Sequence, residues 1–260
     1  CFLDNFSKEL NSKKFNICSN PKLNTITNDA YRFFFGNFDN PSNLLDNLER
    51  IVLKKWKFKD SDFIYSDKFD HYINFYLKAR YKTKKLKDIK KRIQEMDKYL
   101  LNEIHKSSVI LLSFDTIETW VDKISKKAWY TFYGDYFSQK TIANKAKLKT
   151  LNYEDLMNIM KKIIKILDKV GNKKEFIIMA SPQNLGTTYL NKDIKIADFY
   201  SKSTFISVFT DLVSKNVSYF PAFEIINNLN KTKRFRGDNV HILQKTIRNC
   251  LSPYFEKLFF

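Results

Sequence analysis

The chain has few of the residues that break or staple a fold. Glycine and proline occur five times each in 260 residues. Turns therefore fall to Asn, Asp and Ser, and neither an internal repeat nor a low-complexity linker interrupts the sequence. Cysteine is scarce too. Cys1, Cys18 and Cys250 are odd in number and widely spaced, which excludes a disulfide framework and a zinc motif. A reduced, cytoplasmic setting is the default expectation. His71, His105 and His241 are too scattered for a metal site, so no metal is expected. No internal stretch is long and apolar enough to span a membrane. An initiator Met is missing as well. The expected reading is a fragment whose first strand lies just before Cys1, with any signal peptide out of view.

Negative charge is also in short supply. Lys and Arg number 46 against 28 Asp and Glu, a net charge of +18. Such a balance raises nucleic-acid binding. Most of the excess is lysine, however, in a chain also rich in Asn, Ile and Phe, residues that share AT-rich codons. The cations spread along helices, as in Lys84, Lys85, Lys87, Lys90, Lys91 and Arg92, and read as a solvated face. No specific nucleic-acid partner is expected.

What remains is ample core material. Hydrophobic residues make up 43% of a length that suits one α/β domain. Phe2, Leu3, Phe6 and Leu10 fall on one stripe and predict a helix over 2–14. Residues 20–43 read as loop, Leu44–Leu53 as a short helix, and 54–83 give no clear period. Ile89, Ile93, Met96, Leu100 and Ile104 mark a helix over Leu86–His105. The apolar runs Ser108–Phe114 and Glu175–Ala180 read as buried strands of a parallel sheet. Residues 121–150 read as a basic, aromatic insertion. Helices are predicted over Tyr153–Val170, Ser201–Lys215 and His241–Leu251, the last stopped by Pro253, with a short strand at Val217–Phe220. Strands alternating with helices predict a single α/β domain with a three-layer, doubly wound parallel sheet of flavodoxin-like type.

The chemistry concentrates at the two ends. In Asp238-Asn239-Val240-His241 the His can serve as general base and the Asp can fix its tautomer. Cys1 directly precedes an amphipathic helix, where a doubly wound hydrolase places its nucleophile. Each has a plainer reading: Asp238 as a helix cap and Cys1 as a buried thiol. His71 reads as a surface residue and Trp120 as core. Ser181-Pro182 and Lys202 read as loop residues without an assigned role.

Several segments together resemble the GSCFA family, a branch of the SGNH (GDSL-like) hydrolase superfamily. Cys1-Phe2 is similar to the second half of its Gly-Ser-Cys-Phe opening. Phe35-Gly36 followed by Asn40-Pro41 resembles its Phe-Gly-x-x-x-Asn-Pro segment. Ser113–Trp120 resembles a strand ending in Gly-x-x-Glu-x-Trp, with Asp115 in place of the Gly. Met179–Pro182, Ser201-Lys202-Ser203 and Tyr219–Glu224 resemble its Val-Ser-Pro, Ser-Lys-Ser and Tyr-Phe-Pro-Ser-Tyr-Glu elements.

The resemblance implies acyl-ester chemistry on a carbohydrate, by hydrolysis or transfer. Cys1, or a Ser before it, would be the nucleophile, His241 the base and Asp238 its orienter. The Gly36 N–H would hold the oxyanion, with Asn40 and Glu118 at the substrate. Glu118 stands where related enzymes hold Asn or Asp, and an ionised carboxylate cannot donate to an oxyanion. No cofactor is implied beyond an acyl donor such as acyl-CoA in the transfer case. Two other classes stay open: an inactive carbohydrate-binding or scaffold protein, and a basic nucleic-acid-binding module.

Overall fold

The computed structural model describes residues 2–10, 40–66, 70–77, 83–130, 144–230 and 234–259. The chain opens with helix α1 (Phe2–Glu9) and helix α2 (Pro41–Ile51). Strands β1 (Phe63–Ser66) and β2 (His71–Asn74) lead to helix α3 (Leu86–Lys106). Strands β3 (Val109–Phe114), β4 (Glu118–Asp122) and β5 (Ala146–Thr150) precede helix α4 (Tyr153–Asp168). Strand β6 (Glu175–Ala180), helix α5 (Ile194–Asp211), strand β7 (Val217–Tyr219) and helix α6 (Ala222–Asn227) follow. The C-terminal run joins α7 (Gln244–Thr246), a π turn (Ile247–Leu251) and α8 (Ser252–Phe259). The architecture is α/β, in two compact units. One holds Cys1–Asn20, Val109–Ile117 and Glu175–Phe260; the other holds Pro21–Ser108 and Glu118–Lys174.

The first unit is built on a parallel sheet of order β3-β6-β7. Val109 to Phe114 pair in register with Glu175 to Ala180, and Phe176 to Ile178 with Val217 to Tyr219. The central strand β6 buries five successive residues, as a strand covered on both faces must. Ile177 and Met179 pack with Phe2, Phe6 and Leu10, and with Ile247, Leu251 and Phe255. Phe114 meets Phe205 and Phe209 of α5. Each such side chain contributes about 1.5–3 kcal/mol by leaving water.

Helix α5 and the last helix depart from their sequence expectation. Helix α5 begins at Ile194 rather than Ser201, where Asp193 accepts from the Lys195 amide and caps it. Its inward residues include Phe205, Val208 and Phe209, while Ile196, Phe199 and Tyr200 are exposed. Apolar residues on both sides erase the stripe that would have marked the start. The last helix begins at Gln244 rather than His241, and it runs through Pro253 instead of stopping there. Proline lacks an N–H and its ring presses on the carbonyl four residues back. The π turn directly before Pro253 widens the helix at that point.

The second unit joins two antiparallel strand pairs, β1 with β2 and β4 with β5, to α2, α3 and α4. Strand β5 lies inside the expected 121–150 insertion; residues 131–143 are outside the described ones. Helix α2 starts at Pro41, not Leu44, because Asn40 Oδ1 accepts from the Asn43 amide and Pro41 occupies its first turn. Asn43 Nδ2 donates to the carbonyls of Tyr76 at 3.1 Å and Ala128 at 2.9 Å. Ile89, Ile93 and Met96 of α3 pack on Phe63 and Leu77. His71, expected at the surface, is buried in β2 because it sits on the inward positions of a short strand. Trp120 packs against an aromatic cluster around Phe75 and Trp129, as expected of a core residue. Gly171, after α4, has φ 73°. A Cβ there would strike the His105 carbonyl, so glycine is required.

Candidate functional site

Residues 234–243 form a closed turn in the first unit. Phe235 and Ile242 make an antiparallel bridge. The Arg236 amide donates to the His241 carbonyl at 2.7 Å, and the Leu243 amide to the Arg234 carbonyl at 3.0 Å. Asn239 sits at φ 55°, a left-handed conformation that Asn tolerates better than most side chains. Gly237 has room for a side chain, so the turn does not depend on it.

Asp238 organises this turn. Its Oδ1 accepts from the Val240 and His241 amides, both at 2.9 Å. Its Oδ2 lies 2.6 Å from His241 Nδ1. An ionised carboxylate only accepts, so in the neutral ring Nδ1 carries the proton and Nε2 keeps its lone pair. The bond from the His241 amide, then that from its ring, hold the Asp238 carboxyl well below the usual carboxylate range. The two side chains are 45% and 40% exposed. Since α7 begins only at Gln244, Asp238 caps a turn and not a helix.

This turn is tied to the sheet's carboxyl edge, where open α/β sheets bind ligands. The Ser181 amide donates to the Phe114 carbonyl at 2.9 Å and extends the pairing past β6. Three residues on, Asn184 Nδ2 donates to the Asn239 carbonyl at 2.7 Å. The Leu185 amide donates to Asp198 Oδ1 at 3.1 Å. Asp198 stands on α5 with Lys202, which is wholly buried. Lys202 Nζ donates to the Asp115 carbonyl at 3.0 Å and lies 3.8 Å and 3.7 Å from the Asp115 and Asp198 carboxylates. Burial pushes the Asp198 carboxyl up. Lys202 is thus a mid-helix anchor rather than a loop residue.

The turn is also joined to the opening of the chain. Gln244 Nε2 donates to the Asn5 carbonyl at 3.3 Å and to Glu9. Arg248 Nε donates to Glu9 Oε2 at 2.7 Å. The helix that follows Cys1 is thereby bonded to the segment that follows His241.

A search of the curated proteins finds no match. The sequence profile of the GSCFA family, in contrast, matches residues 1–254. The chain belongs to the GSCFA family. That match runs from the Cys1-Phe2 opening through the Asp238–His241 turn.

Of the residues expected at the GSCFA site, Asp238 and His241 are brought together. Cys1 and Gly36 lie outside the described residues. Asn40 and Glu118 belong to the second unit. Asn40 is 2% exposed and begins α2 as its cap. Glu118 opens β4 opposite Thr150 and is also buried. Sequence reasoning passed over Asn184 and Asp198, and left Lys202 without a role. Asp198 and Lys202 share the i,i+4 spacing of a helix, a signal hidden because the helix was expected to begin only at Ser201, while Asp115 comes from a different element. Among the described residues, no group of three or more His, Cys, Asp or Glu could hold a metal ion. No helix among them is long and apolar enough to cross a membrane.

Proposed function

We propose that this GSCFA-family chain is an SGNH-type ester hydrolase or O-acyltransferase with a flavodoxin-like three-layer fold. Its substrates would be acyl esters, acetyl above all, of a carbohydrate or polysaccharide. The observation that carries this reading is the 2.6 Å contact between Asp238 Oδ2 and His241 Nδ1 on an exposed turn. A base needs one nitrogen held and the other open, and this pairing supplies both.

In the proposed reaction, Cys1, or the Ser before it in the family motif, attacks the ester carbonyl carbon. His241 Nε2 takes the nucleophile's proton as the new bond forms. The carbonyl π pair moves to oxygen, where a backbone N–H of an oxyanion hole would receive it. Collapse of the intermediate breaks the C–O bond, and the departing alcohol recovers the proton from His241. Water or a second alcohol then attacks the acyl-enzyme carbonyl as His241 takes its proton, and collapse breaks the bond to the nucleophile, which recovers that proton from His241. No cofactor enters; a transferase would take its acyl group from a donor such as acyl-CoA.

Turnover of p-nitrophenyl acetate and acetylated sugars by the native protein and by His241→Ala tests this reading. The variant should lose about a hundred- to ten-thousandfold in rate. Equal rates would remove His241 from the chemistry. Turnover of none of these esters would favour the inactive carbohydrate-binding reading.

A further inference from the structure

The Asp238–His241 pair rests on a turn that is not anchored by its own residues alone. Asn239 holds a left-handed backbone conformation, at φ 55°. Its carbonyl points to a different loop, where Asn184 Nδ2 meets it at 2.7 Å. That loop is itself fixed. The Leu185 amide, next in sequence, is bonded to Asp198 Oδ1 at 3.1 Å. Asp198 is 6% exposed and stands 3.7 Å from the wholly buried Lys202, which also grips the Asp115 carbonyl at the end of β3. A continuous series of bonds therefore runs from the buried sheet edge to the peptide between Asp238 and Val240. Its last link is a single side-chain amide.

We propose that Asn184 is a positioning residue for His241. It acts by holding the Asn239 peptide, which keeps the Asp238 carboxylate aimed at both the His241 amide and its ring. This deepens the esterase reading and rests on it for its catalytic meaning. The geometric claim stands or falls on its own. Asn184 touches no reacting group in this scheme. Its effect is on how long the Asp238–His241 bond persists, and so on the fraction of time Nε2 is presented as a base. A donor is what the position needs. Asn184→Asp keeps the shape but sets a carboxylate against a carbonyl oxygen, and Asn184→Ala removes the contact.

The test is NMR on the intact protein, selectively labelled at histidine with ¹⁵N, in the native form and both variants. The readouts are the ring nitrogen shifts of His241, which report its tautomer, and the solvent exchange of its Nδ1 proton and of the His241 amide. Urea unfolding is followed alongside. Both variants should unfold at the native midpoint, yet His241 proton exchange should rise about three- to tenfold and the single-tautomer signature should blur. Asn184→Asp should be at least as affected as Asn184→Ala. Native exchange and native ring shifts in both variants would overturn the proposal, whatever the protein does to esters. A purely structural role would instead lower the unfolding midpoint and raise exchange throughout the first unit, which would also overturn it. Absence of ester turnover in the native protein, with the NMR effect present, would remove the esterase reading and leave the positioning role intact.

Discussion

Asp238 uses both carboxylate oxygens, and the two do different work. Oδ1 closes the turn by accepting the Val240 and His241 amides, while Oδ2 holds the imidazole. Asn at this position can keep the first function, since an amide oxygen also accepts. It cannot keep the second, because an NH₂ facing Nδ1 favours the opposite tautomer. Asp238→Asn should therefore leave the unfolding midpoint near native while ester turnover falls by about 10⁴-fold. Native turnover would reduce Asp238 to a turn-former. The same bonds set a pH dependence. A carboxyl held below its ordinary range lends stability that is present above about pH 4. That stability is lost only as pH falls through the lower, folded value. The turn should thus stay assembled through the range where free Asp titrates. At this scale the sequence was readable where partners are close in the chain, as Asp238 and His241 are. Asn184 and Asn239 lie 55 positions apart, and nothing local connects them.

Among the elements, those whose apolar residues form one clean run or stripe were legible, and the helix with apolar residues on both its buried and exposed faces was not. Strand β6 was read end to end, because a short apolar run between polar flanks fits a central parallel strand. Helix α3 was read within a residue from its single stripe. Helix α5 was shortened by seven residues at its start, since its exposed Ile196, Phe199 and Tyr200 hide the period. Pro253 misled in the other direction, because the π turn before it lets the helix continue. Helix α4 was expected over Tyr153–Val170 and ends at Asp168, and the structure shows why Gly171 just beyond it is glycine. A side chain there meets the His105 carbonyl, and φ 73° is a left-handed conformation. Gly171→Ala should cost at least about 2 kcal/mol in urea unfolding, from overpacking and backbone strain together. A cost near zero would show that α3 and the α4 end can part without penalty.

For the whole molecule, net charge and chain topology make separate predictions. A charge of +18 spread over many lysines should give at most weak, salt-sensitive association with phosphate polymers, because each contact releases counterions. Labelled DNA and RNA should form no tight complex at physiological salt. Sub-micromolar binding that persists there would favour the nucleic-acid reading. Topology makes the larger claim. The opening helix is bonded through Asn5 and Glu9 to Gln244 and Arg248, just past His241. The proposed reaction requires Cys1 and His241, at opposite ends of the sequence, to meet in one site. A thiol beside its imidazole base ionises below the ordinary value of about 8.5. The most direct measurement is the rate at which iodoacetamide alkylates Cys1 as a function of pH, in the native full-length protein and in His241→Ala. The account predicts fast labelling of native Cys1 near pH 6 and at least about a tenfold slower rate there in the variant. Identical pH profiles for the two proteins would contradict it.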